Sequence, residues 1–349
     1  MKTLRTIVAS MAIVGLLVAS VPGQAGAAAS NSLGVNPRRN YTIKSGDRVD
    51  DTLYVSNLSK TDDLSITIKP IDFGAKDETG SPSLLLKQTA PTRWSLKPYL
   101  TIASTVTIAA GKSASVPFSI VIPSKVGAGS YYSAVQYSTN SQDAKGSNVN
   151  LISSSATLLF VRVPGEATDI LRLKQFGPFT PYASGTDGSF GSYYGGAAPK
   201  YLAFRLSNDG NVAEEPSGSV ILKNIFGKQT KIFEKANPAN SLVLIGQTRR
   251  FDLCLNQDLS SHADAATGRN VDTIKCNQPS LTPGHYTARL ALVYGDNGSS
   301  SHELGAVSSF WYLPLWFVVI VIVGFVVLLA LGLLITRKLK SRRRFSSRR

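Results

Sequence analysis

Short runs in which apolar and polar residues alternate fill most of the chain between about residue 30 and residue 310. The segment 64–69 places Leu, Ile and Ile on one face and Ser, Thr and Lys on the other, and the segments 116–122 and 288–294 alternate in the same way. Gly, Pro, Asn, Asp and Ser separate the runs. A period of two residues with frequent turn signals is typical of antiparallel sheets packed as sandwiches. The pattern therefore predicts an all-β fold.

One sequence motif within this pattern, called here the Ser-Asn phrase, occurs twice. The stretch 54–73, "YVSNLSKTDDLSITIKPIDF", and the stretch 204–226, "FRLSNDGNVAEEPSGSVILKNIF", both end an alternating run with a Ser-Asn pair, at Asn57 and at Asn208. A polar turn and a second apolar run follow in each case. Because many β proteins use the same strand and turn residues, the phrase alone does not establish a repeat.

Two further landmarks follow each phrase in the same order. A Gly-x-Ser or Gly-x-Thr turn, at Gly111 and Gly246, precedes one strand, and a Gly-x-Tyr turn precedes another, with Tyr132 and Tyr286 as the matching aromatic residues. Glycine suits turns that need a positive φ or a close backbone approach. The shared order indicates two sandwich domains of one kind, joined near Gly165. Their predicted bounds are 30–165 and 166–310.

Apolar segments lie at both ends of the chain. Lys2 and Arg5 precede an apolar stretch and then small residues, which is the order of a secretory signal peptide, here 1–29. The alternative is a buried N-terminal helix. Near the other end, 315–335 is an uncharged and almost wholly apolar stretch of 21 residues. As a helix it would be about 31 Å long, enough to cross a bilayer core of about 30 Å. We predict one transmembrane segment, 311–336.

The basic tail 337–349 predicts the orientation of this segment. It carries eight Lys or Arg residues and no acid, and basic residues beside a span stay on the cytoplasmic side. We therefore expect a single-pass protein of the cell membrane with its domains outside, its tail in the cytoplasm, and Trp311, Tyr312 and Trp316 in the interfacial aromatic belt. An alternative role for the tail is to bind anionic lipid or a cytoplasmic partner. The predicted topology determinants are Arg337, Lys338, Lys340, Arg342, Arg343 and Arg344.

The net charge of +15 does not indicate nucleic-acid binding. Two basic residues belong to the predicted leader and eight to the tail, which leaves +5 for the rest of the chain. Since most of the charge lies beside the membrane, we expect no nucleic acid among the partners.

Cys254 and Cys276, the two cysteines of the chain, bound a segment that makes the second half 19 residues longer between its landmarks. In a secreted protein such a pair predicts a disulfide, and two free thiols are the alternative. Because Cys254 alternates with Leu253 and Leu255, we expect it to face away from the core, so that the bond fastens a surface insertion.

The chain offers little for catalysis. Its three histidines, His262, His285 and His302, lack the spacing of a metal site or of a nucleophile–base pair. The adjacent acids at 50–51 and 62–63 are candidates for acid–base chemistry, but adjacent acids at strand edges are usually solvated. The segments 209–216 and 295–303 carry oxygen ligands without the pattern of a calcium loop. We predict a protein that is not an enzyme, with no catalytic residue, metal or cofactor.

Binding is the function that remains. The Gly/Ser-rich segment 181–199 carries four aromatic residues, and aromatic side chains on a loop of a rigid sandwich are typical of binding loops. The alternative is that these rings pack on their own domain. Trp94 is expected to cover an edge of the first domain. The candidate partner-binding residues are Tyr182, Phe190, Tyr193 and Tyr194.

The order of these parts resembles the bacterial WxL-interacting proteins. The resemblance rests on "GVNPRRNYTIKSGDRVDDTLYVSN", "VTIAAGKSASVPFSIVIPSKVGAGSYYSAV", "LSNDGNVAEEPSGSVILKNIFGK", the span and the basic tail. It covers nearly the whole chain through loose strand and turn motifs, and departs from the family at residues 129–132 and in the Cys-bounded insertion. Bacterial immunoglobulin-like domains of surface proteins are an equally good match.

The resemblance implies two immunoglobulin-like domains on a membrane anchor, the first binding peptidoglycan and the second binding a host or partner protein. We therefore expect a non-catalytic cell-surface adaptor that binds wall polymer, another surface protein, or both. The alternatives are a structural or adhesion component of a surface assembly and, more remotely, a surface hydrolase.

Overall fold

The structure is a computed structural model that describes residues 33–88, 90–139, 154–183, 186–263, 270–295 and 301–346. The predicted signal peptide lies outside the described residues. Strands dominate the rest, and one long helix, α1 (Leu315–Ser346), follows them. The predicted fold class is therefore confirmed: an all-β part with two immunoglobulin-like sandwiches precedes a C-terminal apolar helix.

The first sandwich packs a four-stranded sheet, in the order β1-β3-β9-β7, on a five-stranded sheet, in the order β2-β11-β10-β4-β8. The pairs are antiparallel except that β2 runs parallel to β11. The hairpin β5–β6 leaves the sandwich between β4 and a short 3-10 helix, Lys97–Tyr99. The strands are β1 Leu33–Val35, β2 Arg38–Thr42, β3 Arg48–Asn57, β4 Leu64–Ile71, β5 Phe73–Ala75, β6 Pro82–Leu84, β7 Leu100–Ile102, β8 Thr105–Ile108, β9 Ser113–Val121, β10 Gly129–Thr139 and β11 Ser154–Val163.

The second sandwich repeats this plan, with sheets in the order β13-β12-β15-β18 and β14-β22-β21-β16-β17. Its separate hairpin, β19–β20, is the Cys-bounded insertion. The strands are β12 Leu171–Pro181, β13 Gly188–Phe190, β14 Tyr193–Tyr194, β15 Tyr201–Asn208, β16 Ser217–Asn224, β17 Gln229–Phe233, β18 Thr248–Cys254, β19 Gln257–Ala263, β20 Asn270–Cys276, β21 Gly284–Tyr294 and β22 His302–Tyr312.

Each sandwich has its own apolar core, built from the faces that the alternation predicts. Ile66 and Phe118 are buried in the first core, and Ala288, Leu290 and Leu292 are buried in the second. Burying one such large side chain stabilises the fold by about 1.5–3 kcal/mol. The period-two pattern therefore specifies which face of each strand turns inward.

The repeated Ser-Asn phrase has the same structural role in both domains. Asn57 is buried at the end of β3, where its Nδ2 donates to the carbonyls of Asp62 and Ile108. Asn208 is buried at the end of β15, where its Nδ2 donates to the carbonyls of Val212 and Val243. Each amide therefore fastens its turn to the chain that leads into the Gly-x-Ser/Thr turn.

The expected correspondence between Tyr132 of the first domain and Tyr286 of the second domain is wrong. The hydroxyl of Tyr131 donates to the carbonyl of Gly127 at 3.1 Å, and the hydroxyl of Tyr286 donates to that of Thr282 at 2.8 Å. In both cases the acceptor lies four residues upstream, as in the tyrosine corner of immunoglobulin folds. The residue that corresponds to Tyr286 is therefore Tyr131, not Tyr132, because Tyr132 points to the other face of β10.

That other face of β10 packs against the second domain. Tyr132 is fully buried in an apolar cluster with Phe73 and Phe160 of the first domain and Leu244 and Ile245 of the second. The β2–β8 sheet is therefore covered on both faces, by its own core and by the neighbouring domain. Trp94 belongs to the same cluster and stacks on the Tyr132 ring at 5.9 Å.

Hydrogen bonds fix the two domains around this cluster. The Ser130 N–H donates to the carbonyl of Asn211 at 2.9 Å, and Ser130 Oγ accepts from the Ala213 N–H at 3.0 Å. The Ala75 N–H also donates to Gln247 Oε1 of the second domain, at 2.8 Å. A buried apolar cluster with several directional bonds beside it favours one relative orientation of the sandwiches.

The predicted disulfide is present in the structure, where it joins Cys254 and Cys276 across a Cα–Cα distance of 5.7 Å. Phe251, Leu253 and Leu255 belong to the core of the second sandwich and Cys254 does not, as the alternation predicts. Cys254 is nonetheless buried, with only 8% of its surface exposed. The disulfide to Cys276 shields this position from solvent. The bond fastens the β19–β20 hairpin to the edge of the sandwich.

Candidate functional site

A cleft of about 840 Å³ separates the two domains beside their apolar contact. One wall is formed by the β2 edge of the first domain, and the other by the segment 213–217 and the ends of β21 and β22 in the second. The cleft therefore exists only because both domains are held in one orientation.

The wall formed by β2 is an open sheet edge. The Pro37 carbonyl accepts from the Leu158 N–H at 2.9 Å, and the Ile43 N–H donates to the Arg162 carbonyl at 3.0 Å. Odd-numbered residues of β2 therefore bond to β11. Because backbone groups of a strand point to opposite sides at alternate residues, the even-numbered ones point away from the sheet. The backbone groups that point outward belong to Arg38, Asn40 and Thr42.

Arg38 connects the two walls. Its guanidinium lies 3.7 Å from Glu215 and donates to the carbonyl of Asn240 at 3.3 Å, both in the second domain. The same group lies over the Phe160 ring, 5.0 Å from its centre. About a third of the side chain is exposed, so the ion pair alone contributes little. The ring and carbonyl contacts nonetheless hold Arg38 at the side of the cleft.

Glu214 is the titrating residue at the base of the cleft. It is 3% exposed, and its Oε2 accepts from the Gly295 N–H at 3.0 Å. Burial, followed by the nearby Asp169 carboxyl, raises its pKa to about 7, against smaller opposing effects of the Gly295 N–H and of Arg162. Burial in the cleft therefore favours the neutral, protonated form of Glu214.

Sequence reasoning missed this cleft. Glu214 and Glu215 lie in the segment 209–216, whose oxygen ligands lack the pattern of a calcium loop, and Arg38 and Asn40 lie in a segment that carries the family resemblance. In sequence, β2 and segment 213–217 are more than 170 residues apart. The adjacent pair of acids before Pro216 was the only local signal.

The four aromatic residues of 181–199 do not form one patch. Phe190 contacts Phe179 with ring centres 5.2 Å apart, and Tyr194 meets Phe310 edge-on at 5.9 Å. Tyr182 and Tyr193 are 56% and 59% exposed. Two of the rings therefore pack on their own domain and two remain available for contact.

Tyr193 and Tyr194 also add a short strand, β14, beside β22, opposite Trp311 and Tyr312. The segment therefore joins the end of the sheet that leads into α1. Its role in partner binding stays a prediction.

The four acidic residues at 50–51 and 62–63, the candidates for acid–base chemistry, form local contacts. Asp50 and Asp51 lie in β3, Asp62 and Asp63 lie in the turn before β4, and each carboxylate has a hydrogen-bonding or charged neighbour. Within the described ranges, His, Cys, Asp and Glu form no group of three able to hold a metal ion. The partners are Arg48 for Asp50, Tyr41 for Asp51, Thr61 for Asp62 and the Ala110 N–H for Asp63.

The other predicted residues lie as follows. His285 packs on the Trp311 ring at 4.9 Å, and His302 stacks on Tyr294 at 5.2 Å. His262 lies in β19, in the insertion. Trp311 and Tyr312 end β22 and do not belong to α1.

The residues Leu315–Lys338 of α1, which contain an 18-residue window with a mean hydropathy of 3.4, are long and apolar enough to cross a membrane. The helix continues through the basic residues to Ser346 instead of ending at 336. Of the six predicted topology determinants, Arg337 and Lys338 fall inside the candidate span as the structure bounds it, and Lys340, Arg342, Arg343 and Arg344 follow on the same helix.

No protein-family model and no curated protein matches the sequence. Among solved structures, the class 5 fimbriae chaperone CfaA is 14% identical, with a TM-score of 0.36 over 80% of this chain and 98% of that one. The Salmonella enterica SafB chaperone with the SafA pilin is 11% identical, with a TM-score of 0.35 over 79% and 96%. The E. coli chaperone DraB is 12% identical, with a TM-score of 0.33 over 79% and 97%.

These neighbours are PapD-like pilus chaperones with an immunoglobulin-like β fold. The similarity concerns the fold. The resemblance to the WxL-interacting proteins stays a prediction.

Proposed function

We propose that this protein is a non-catalytic, membrane-anchored surface adaptor that holds an extended segment of another surface protein in its interdomain cleft. The single observation that carries the proposal is the open β2 edge. It forms one wall of a cleft between two domains that an apolar cluster and hydrogen bonds hold in one orientation. An extended peptide added to such an edge gains main-chain hydrogen bonds, and the opposite wall supplies side-chain contacts.

The other sheet edges are less suitable. β1, β7, β13 and β14 have three residues or fewer and β8 has four, and short edges are one way in which proteins prevent strand addition. The β18 edge is covered by the β5–β6 region, since the Arg250 N–H donates to the Glu78 carbonyl at 2.6 Å. β17 is five residues long but contributes no residue to the cleft. The β2 edge, also of five residues, combines free backbone groups with an enclosing second domain.

Anchoring is proposed from α1 and the charge that follows it. The helix has the length and hydropathy of a span, and the basic tail favours a cytoplasmic C-terminus. Both sandwiches would then lie on the outer side. Protease added to intact cells is expected to digest the domains and spare a tag placed after Arg349; loss of that tag would refute the orientation.

Photocrosslinking on intact cells tests the binding mode. A photoreactive amino acid is placed in turn at positions 38, 40 and 42, and at the exposed Tyr54 of the first domain as a control. Strand addition predicts crosslinks into one segment of one partner, with successive attachment sites spaced by two residues. Scattered crosslinks, or crosslinks equal to those from position 54, would refute the proposal. Attachment to wall fragments would instead support peptidoglycan binding, as the family resemblance implies.

A pair of substitutions tests the backbone requirement. Asn40→Pro removes one outward N–H, whereas Asn40→Ala keeps it and removes the same side chain. We expect crosslinking from position 42 to fall at least about tenfold in Asn40→Pro. The variant loses one main-chain hydrogen bond to the partner, and the proline ring also blocks the close approach of the partner strand. Asn40→Ala should behave like the unmodified protein. Equal effects of both variants would show that the side chain, not the strand edge, binds the partner.

A further inference from the structure

The sheet that leads into α1 has one end that must face the membrane, if the chain is anchored as proposed. β22 ends at Tyr312, and α1 begins at Leu315 after a two-residue connection. Two extended residues span only about 7 Å. The end of the sheet that carries Tyr312 therefore lies close to the point where the chain enters the bilayer.

The strand register brings a hairpin tip to the same end. Across the sheet, Asn224 of β16 stands opposite Tyr286 of β21, which stands opposite Phe310 of β22. The turn between β16 and β17, residues 225–228, therefore follows directly at the level of the last residues of β22. Adjacent strands lie about 4.8 Å apart, so β16 is about 10 Å to the side of β22.

This tip presents bulky apolar side chains to the outside. Phe226 is 89% exposed and Ile225 is 58% exposed. The turn is a defined structure, since Asn224 Oδ1 accepts from the N–H groups of Phe226 and Lys228 at 3.1 and 3.0 Å. Gly227 has a φ of 74°, in the left-handed region that glycine adopts without strain. The fold therefore holds Phe226 outward.

The rest of that end is rich in residues suited to a membrane interface. Tyr193 and Trp311 stand opposite each other in β14 and β22 and are 59% and 44% exposed. Lys223 and Lys228 flank the hairpin tip and are exposed. Aromatic rings prefer the headgroup level of a bilayer, and lysines beside them are attracted to anionic lipid.

We propose that Tyr193, Ile225, Phe226 and Trp311 form a membrane-contact rim that rests in the headgroup region of an anionic leaflet. The proposal rests on the proposed anchoring by α1. Such a rim adds a second attachment point beside the helix and prevents the sandwiches from tilting freely about the two-residue connection.

Contact of the rim with the membrane would also determine how far the cleft lies above the lipid surface. Val293 and Tyr294, which line the cleft, are at the opposite end of β21 from Gly284. The seven residue steps from Tyr286 to Val293 span about 24 Å of strand at about 3.4 Å per step. With the rim on the lipid, the cleft opens well above the membrane, where an extended partner has access.

Depth measurements on the full chain test the rim. The protein is reconstituted into vesicles of phosphatidylcholine with a minority of phosphatidylglycerol, and an environment-sensitive fluorescent amino acid replaces Phe226, Val307 or Val293. Val307 and Val293 are exposed positions on the same sheet, 61% and 40%, at increasing distance from the helix. Headgroup spin-labelled lipid should quench position 226 at least about fivefold more than position 293, with position 307 close to position 293.

Equal quenching at all three positions would overturn the proposal. Protection of position 226 from both lipid quencher and aqueous iodide would assign the tip to a protein contact and also overturn it. Flotation of the same vesicles reports on the anchor separately. Protein that floats without quenching refutes the rim alone, whereas protein that fails to float refutes the anchoring and the rim with it.

Discussion

Asn57 and Asn208 make the same set of contacts in the two domains. Each buried amide donates two hydrogen bonds to backbone carbonyls, and each Oδ1 accepts from the N–H two residues later, that of Ser59 or Gly210, at 2.9 Å. Replacement by Ala leaves buried backbone groups without partners. We expect Asn57→Ala and Asn208→Ala each to lower the free energy of unfolding by about 2–4 kcal/mol.

Chemical denaturation of the full chain in detergent measures this loss, and hydrogen exchange localises it to the substituted domain. Asn40→Ala, at an exposed position, is the matched control and should change the free energy of unfolding by less than about 0.5 kcal/mol. Equal loss in the control, or loss spread over both domains from either variant, would contradict the role assigned to the repeated phrase.

Glu214 should make stability depend on pH. Its pKa is raised from 4.5 to about 7 in the folded protein, so between these values the native state holds a proton that the unfolded state has released. The stabilising contribution is complete below pH 4.5 and is lost as pH rises toward about 7, with a maximum of about 3 kcal/mol. Glu214→Gln keeps an acceptor for the Gly295 N–H and cannot ionise.

We therefore expect Glu214→Gln to match the unmodified protein at pH 5 and to exceed it in stability at pH 8. Unfolding at both pH values checks this, with Glu215→Gln, an exposed partner of Arg38, as control. An unchanged difference between pH 5 and pH 8 in Glu214→Gln would show that other groups cause the dependence.

The disulfide should stabilise the second domain specifically. Cys254 and Cys276 close a loop with a sequence separation of 22, which corresponds to about 3 kcal/mol in the chain-entropy model. Replacing both by Ser should lower the stability of the second domain by about that amount and expose the β19–β20 hairpin to hydrogen exchange. Mass spectrometry after alkylation, with and without reductant, should show one bridge; labelling of both thiols before reduction would exclude it.

Gly129 should control the contact between the domains. Its φ is +144°, and a Cβ there would lie 2.8 Å from the Asn211 carbonyl oxygen of the second domain. Gly284 is its counterpart in the repeat, with a φ of +151° and nothing within 4 Å of a Cβ. Gly129→Ala and Gly284→Ala therefore introduce similar backbone strain, but Gly129→Ala alone also forces the domains apart.

We expect small-angle scattering to show a broader distribution of interdomain distances for Gly129→Ala and an unchanged one for Gly284→Ala. Crosslinking from position 42 should fall in the first variant only, because the cleft depends on the domain orientation. The same scattering profile for both variants would indicate that the domains are held by other contacts.

Much of the architecture was readable along the chain because it depends on local periodicity. Alternation predicted the inward faces of β4, β9 and β21, since successive side chains of a strand point to opposite sides. The length of the apolar stretch predicted α1, and the position of the cysteines predicted their bond. The Ser-Asn phrase at Asn57 and Asn208 predicted a repeat. Each buried side-chain amide bonds to backbone groups of the turn that follows it, so both copies keep the same local sequence.

The tyrosine match failed because periodicity does not say which of two adjacent rings faces its own core. Tyr131 and Tyr132 are both aromatic, and only the second domain, packed on the outer face of β10, gives Tyr132 a buried site. The burial of Cys254 could not be read from the alternation either. It depends on the disulfide to Cys276, which lies 22 residues later in the chain.

The sequence by itself therefore determined the secondary structure, the two cores and the apolar helix, all of which follow from short-range patterns of burial. Only the tertiary structure decided the cleft and the proposed membrane-contact rim. Arg38 and Glu215, or Phe226 and Trp311, are far apart along the chain and meet at one wall or one sheet end through strand order and domain packing. Strand order and domain packing arise from long-range contacts, which leave no periodic signal in the sequence.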